Sequence, residues 1–417
     1  MKFKNVLPAL FCIGIAVFLS GCLRDRCTTF KTYKRYEPIF KTAAECNLGF
    51  LVQPARPLTH PGKIYYFDHY LLINELNEGI HVVDNSDPAH PVQTAFWSIA
   101  GNVDMAVGGH FLYADQYINL LTIDLQDIQN PQLVCIRNNA FSLYGYDPLR
   151  GWLVGYNETE VTEEFACDDN RWRNGWFTEG DVILVDNAFD GANSNGGSSV
   201  PAGIAGSYSR FGLYDQFLYT IDINTLKSWS LSAPECPSVS DSVFLGWNIE
   251  TIFPWKDRLF VGSQQGVFIF NNSNPSHPVL ESTFWHATGC DPVVCDDTHA
   301  YVTLHDGTTC NGVLNQLEVI NISGLPSTSV EAIYPMQRPF GLSVSGDFLY
   351  LCDDGLKVFN KSEPANLKQV AHLKNLKTTD AIALGNDLLL VVGDGGFFQF
   401  DVSNPAEPKQ ISTIPVD

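Results

Sequence analysis

A short apolar strand that enters a tight polar turn and leaves as an aromatic-rich strand recurs eight times along this chain, at intervals of about forty residues. The hairpins run from Ile64 to Ile73, Met105 to Ala114, Leu143 to Val154, Phe211 to Thr220, Thr251 to Gly262, Val293 to Thr303, Leu342 to Cys352 and Ala381 to Val392. One unit of this size cannot bury both faces of its sheet alone, so the repeat predicts like units stacked into a propeller or solenoid. A ring of repeats makes a single domain of 417 residues, a length that by itself would suggest two or three.

Each unit continues into a third strand, an acidic or amide turn, a proline and a fourth strand. Gly79 to Asp84 leads into Asn85-Ser86-Asp87-Pro88, Gly266 to Asn271 into Asn272-Ser273-Asn274-Pro275, and Gly396 to Asp401 into Val402-Ser403-Asn404-Pro405. The Asx side chain holds the turn and proline fixes φ, so the chain must reverse there. A second proline, as in His90-Pro91 and His277-Pro278, suits an outer edge strand, where a missing N–H breaks no ladder. The 27 Phe, 16 Tyr and 8 Trp supply a large core, and 33 Gly with 23 Pro suit many short strands joined by turns.

The expected fold is an all-β propeller of eight four-stranded antiparallel blades, with the third unit irregular. That unit's hairpin near Gly151 is cut off from its third strand, Asp181 to Asp186, by an insertion at about 157–180 containing Glu158, Glu160, Glu163, Glu164, Asp168 and Asp169. The Gly/Ser/Asn stretch 191–199 reads as a mobile loop. If the unit makes no blade of its own, the ring has seven. The segment Cys27 to Phe40, with alternating Phe30, Tyr33 and Tyr36, is placed to add a strand to an outer edge.

The strand-and-turn signature of Gly79 to Pro88 and of Gly396 to Pro405 resembles that of the LVIVD-repeat family of bacterial propeller proteins, over the chain from near Lys63 to the C-terminus. Pro54-Ala55-Arg56-Pro57-Leu58 looks like the lead-in of Bacteroidetes lipoproteins of this type. The resemblance implies a β-propeller and supplies no reaction.

Lys2 and Lys4 precede an apolar run from Val6 to Leu19, too short for a membrane-spanning helix and right for a signal-peptide core. Leu19-Ser20-Gly21-Cys22 resembles the lipobox, which makes Cys22 the acylated first residue of the mature chain, residues 22–62 a tether and 63–417 the propeller. Acyl chains anchor by about 0.8 kcal/mol per buried CH₂, and Leu23 in place of an aspartate points to the outer membrane. The net charge of −21 disfavours nucleic acid and anionic lipid. Export permits disulfides among the nine cysteines left after Cys12 and Cys22. Cys290 and Cys310 flank one hairpin and form the candidate pair.

In a propeller the first residues of the inner strands gather at one mouth of the central channel. Aligning the units puts Lys63, Asp104, Ser142, Arg210, Glu250, Asp291, Gly341 and Asp380 there. Convergent carboxylates repel unless a cation, a proton or a basic side chain compensates them, so this ring is the first candidate for binding. His286, Asp291, His305 and Asp306 supply imidazole and carboxylate ligands near the same end, a candidate site for a divalent cation such as Ca²⁺ or Zn²⁺. Arg171, Trp172, Arg173 and Trp176 in the insertion are types that anchor interfaces. No GxSxG elbow, P-loop or HExxH occurs. The sequence therefore predicts a lipid-anchored binding platform for a protein, a glycan or a structural cation. The alternative is a metal-dependent propeller hydrolase acting through the carboxylate ring.

Overall fold

The computed structural model describes residues 27–416 apart from 143–144, 168, 170, 172–175, 180–181, 187–203, 206, 208–209, 247–248, 287–291 and 306–313. The signal segment, Cys22, the 191–199 stretch and the proposed Cys290–Cys310 pair lie outside the described residues. The described residues form eight antiparallel sheets, one for each repeat unit. The chain divides into two compact units, residues 1–37 with 157–189 and residues 38–156 with 190–417.

The larger unit is built of blades whose four strands follow one another in sequence. Blade 1 is Pro61–Phe67, Tyr70–Glu75, Gly79–Asp84 and Val92–Ser98, and it gains Leu51–Pro54 on its outer edge and Ile204–Ala205 on its inner edge. Blade 2 is Met105–Gly108, Phe111–Gln116, Asn119–Asp124 and Gln132–Arg137; blade 3 is Phe211–Tyr214, Phe217–Ile221, Thr225–Ser230 and Ser238–Phe244. Blade 4 is Ile249–Trp255, Arg258–Ser263, Gly266–Asn271 and Val279–Trp285; blade 5 is Val293–Cys295, His299–Leu304, Gln316–Asn321 and Ser329–Pro335. Blade 6 is Leu342–Ser345, Phe348–Cys352, Leu356–Asn360 and Lys368–Leu373, and blade 7 is Asp380–Leu384, Leu388–Gly393, Gly396–Asp401 and Lys409–Pro415.

Four of the hairpin pairs expected from sequence sit directly opposite each other: Ile64 and Ile73, Met105 and Ala114, Phe211 and Thr220, Thr251 and Gly262. In each of these blades the ladder between third and fourth strands shifts register once. Such a bulge adds local twist and turns the outer strand away from a flat, exposed edge.

Inner strands of successive blades touch, blade 2 meets blade 3 directly, and blade 7 meets blade 1, so these seven blades close a ring. The seams are apolar with polar bolts. Tyr65, Tyr113, Tyr219, Tyr301 and Tyr350 are fully buried, a type of burial worth roughly 1.5–3 kcal/mol per large side chain. The Tyr113 hydroxyl donates to Pro234 O (2.9 Å) in the turn before the outer strand of blade 3, and Tyr219 to Pro275 O (2.8 Å) in blade 4. A disulfide, Cys135–Cys236, joins the outer strand of blade 2 to the turn of blade 3, where Arg137 donates to Cys236 O and Pro237 O. The closing seam carries a reciprocal amide pair, Asn85 with Gln399 (3.0 and 2.7 Å), and a parallel bridge between Leu58 and Val416.

The third repeat unit has the irregular sheet. Its strand order is Tyr146–Asp147, Gly151–Ala166, Thr28–Lys41, Val182–Asp186, Trp176–Glu179. The N-terminal strand is thus an interior strand and not the edge strand expected. It wedges between the second and third strands of the repeat because its Tyr33 and Tyr36 are buried at 3% and 4% exposure, with Tyr33 edge-on to Phe165 (5.9 Å). Cys27–Cys167 fastens one end of this arrangement.

Candidate functional site

The site begins with a repeated local device. In several blades the second strand ends in an acid whose carboxylate takes the backbone N–H groups of the loop entering the same blade, fixing that loop to the strand. Glu75 accepts from Thr59 N and His60 N, Asp115 from Val103 N and Asp104 N (both 2.8 Å), and Asp353 from Gln337 N and Arg338 N (3.1 and 2.7 Å). Asp222 in blade 3 takes the N–H of Ser142 (3.3 Å). Ser142 therefore occupies the loop position that Val103 holds in blade 2. The connection between blades 2 and 3 is interrupted after it and resumes at Arg210, so the third repeat is an insertion in that connection. An acid stands at or next to the end of the second strand in four of the units, Glu75, Asp115, Asp222 and Asp353, a partial recurrence visible in the sequence.

Above these caps lies a buried polar hub. Lys63 Nζ donates to Asp104 Oδ2 at 3.3 Å, and Arg210 N donates to the same oxygen at 3.1 Å. Met105 N donates to Asp104 Oδ1 (2.7 Å). Asp380 Oδ1 accepts from Ala381 N (2.9 Å) and from Ser207 N and Oγ (3.2 and 3.3 Å), while Ser207 Oγ accepts from Leu342 N (2.8 Å). Lys63, Asp104, Ser207 and Asp380 are all under 5% exposed. Asp380 Oδ2 is buried with no hydrogen-bond partner among the described residues.

Burial decides the electrostatics. It pushes the Asp380 carboxyl up to about 7, against the opposing pull of the Ala381 and Ser207 donors and the Lys63 charge. It holds Lys63 down to about 8 although Asp104 favours the ammonium form, and it raises Asp104 and Asp115 above the usual carboxylate range. Charge is thus disfavoured throughout the hub, which balances itself with Lys63 and backbone donors.

Of the eight expected ring residues, Lys63, Asp104, Arg210, Gly341 and Asp380 come together. A Cβ on Gly341 would lie 2.1 Å from Asp380 Oδ1, so its neighbour's carboxylate occupies the place of its side chain. Ser142 does not join, being exposed and spent on the Asp222 cap. Glu250 stands at a β-bulge and accepts from Gln264 (3.1 Å) at the far end of its own blade's hairpin. Asp291 lies outside the described residues. Sequence reasoning missed Ser207, which reaches the hub from the end of the insertion and has no repeat position to mark it.

Of the candidate cation ligands, His286 and His305 are described, whereas Asp291 and Asp306 are not. Among the described residues no group of three or more His, Cys, Asp or Glu is placed to hold a metal. His305 is buried against Phe340 (4.9 Å), His286 follows the outer strand of blade 4, and Asp306 lies outside the described residues. In the insertion, Arg171 makes paired bonds to Asp169 (2.8 and 3.1 Å) and lies over Phe165. Trp176 begins a strand opposite Val185, and Trp172 and Arg173 lie outside the described residues.

No family model matches the chain, and no curated protein matches it. Among solved structures it is similar to a protein from Lactobacillus plantarum at 12% identity and a TM-score of 0.53, over 85% of this chain and 97% of that one. The fold is that of a β-propeller. Weaker likenesses are to the periplasmic gluconolactonase of Pseudomonas aeruginosa (11% identity, TM-score 0.48, 86% and 96% covered) and BamB from Moraxella catarrhalis (10%, 0.39, 88% and 87%).

Proposed function

We propose that this protein is an exported, lipid-anchored β-propeller of LVIVD-repeat type that serves as a rigid binding platform and not as a catalyst. One observation carries the platform reading: Lys63 pairs with Asp104, whose oxygen also takes Arg210 N, and Asp380 Oδ1 is held by Ser207, so that Asp380 Oδ2 alone of these carboxylate oxygens lacks a partner among the described residues. A ring of that kind holds blades in place. Recognition then falls to the faces and grooves of the blades, where propellers present loops on a stiff frame. The lipobox ending at Cys22 supports attachment to the cell envelope, with the outer membrane as the expected site and a protein or glycan as partner.

Metabolic labelling with an alkyne fatty acid and membrane fractionation tests the anchor. The native chain should be labelled and sediment with membranes, and Cys22→Ala should be unlabelled; equal labelling of the two overturns it. Turnover of lactones or phosphoesters with Ca²⁺ or Zn²⁺, abolished in Asp104→Asn, would replace the platform with the hydrolase.

A further inference from the structure

We infer that the groove between blades 4, 5 and 6, at the end of the ring opposite the hub, binds an uncharged carbohydrate; this rests on the platform reading and names its ligand class. The groove is open to solvent and offers about 600 Å³. Its walls are the first-hairpin turns of the three blades and the ends of the third strands of blades 5 and 6.

Charge in the groove is partly cancelled. Lys361, 9% exposed, donates to Asp296 (2.7 Å), whose other oxygen caps Thr298 N and His299 N (both 2.9 Å). Asp297 pairs with Lys256 (2.6 Å). Both ring nitrogens of His299 are engaged, with Thr298 (2.8 Å) and Glu331 (2.9 Å). Asp347 has no cation in contact among the described residues. The two lysines offset Asp296 and Asp297 and leave Asp347 and Glu331 uncompensated by an ammonium, so the site is unsuited to phosphate and offers carboxylate acceptors. Ionised carboxylates held in place accept hydrogen bonds from hydroxyls about twice as strongly as neutral acceptors do.

One wall is aromatic. Trp255 lies nearly parallel to Phe253 (6.3 Å, 16°), its indole Nε1 is buried with no partner among the described residues, and the exposed Lys256 ammonium lies over its ring (5.9 Å), so a sugar stacking there displaces that side chain. A flat indole beside fixed acceptors complements a pyranose, which presents an apolar C–H face and a rim of hydroxyls.

The test is calorimetric titration of the full-length protein in detergent with neutral oligosaccharides of cello-, malto-, xylo-, manno- and galacto- type, and with tetralysine as a charged control. At least one sugar series should bind, Trp255→Ala should weaken it by about tenfold or more, and Asp347→Asn, on an exposed turn, should weaken it severalfold without altering the melting temperature. No binding by any series, binding equal in both variants, or tetralysine binding tighter than every sugar overturns the inference. Photo-crosslinking to an envelope partner from another face would then leave the platform standing without this ligand, whereas failure of both removes the platform as well.

Discussion

Asp380 and Gly341 show how one buried carboxylate dictates its neighbour. An added methyl at Gly341 would meet Asp380 Oδ1 at 2.1 Å and Thr379 O at 2.8 Å, and both are held by the hub. Gly341→Ala should therefore destabilise the fold by about 1–3 kcal/mol, read as a lower denaturant midpoint; an unchanged midpoint would show that the hub yields. Asp380 has a second consequence. Its folded-state pKa of about 7 stands above its ordinary value of 3.8, so the folded chain holds a proton that the unfolded chain has lost. The stabilisation is complete below about pH 4 and is lost as pH rises through 7. Asp380→Asn should flatten stability between pH 4 and 7 relative to the native chain, measured by melting temperature; parallel profiles would sink the assignment. Lys63, Asp104 and Asp380 were legible in the sequence because each recurs at one repeat position. Ser207 was not, because its contacts to residues 342 and 380 depend on where a long insertion returns.

At the level of the strand, the acids that end second strands do more for the fold than the ring that drew attention first. Asp353 takes two loop N–H groups and also receives Lys357 (2.6 Å). Removing it leaves two backbone donors and an ammonium without their acceptor, so Asp353→Ala should cost about 3 kcal/mol in chemical denaturation. A loss no larger than that of a surface substitution would contradict the capping role. Blade strands themselves were readable, since proline turns and apolar runs mark both their ends. The N-terminal strand was misplaced at an edge because alternation shows which face of a strand is buried and is silent on whether one or two neighbours flank it.

For the whole molecule, every blade of the ring takes its four core strands from consecutive sequence, so closure between blades 7 and 1 rests on side chains and the short Leu58–Val416 bridge. The seam between blades 7 and 1 depends on Gln399, which exchanges amide bonds with Asn85 and also reaches Pro88 O (3.1 Å). Gln399→Ala should speed amide hydrogen exchange in blades 1 and 7 ahead of the other blades; uniform protection would show closure residing elsewhere. Cys135→Ser should cost about 2–5 kcal/mol, seen as a lower midpoint without reductant and as equal midpoints once the native chain is reduced. The Cys135–Cys236 link spans 101 residues, and the whole third repeat lies inside that span. A protease that cuts once anywhere between those two cysteines produces two polypeptides that still migrate together on a non-reducing gel. The nick stays covalently bridged, and on a gel a thiol reagent is what separates the two pieces.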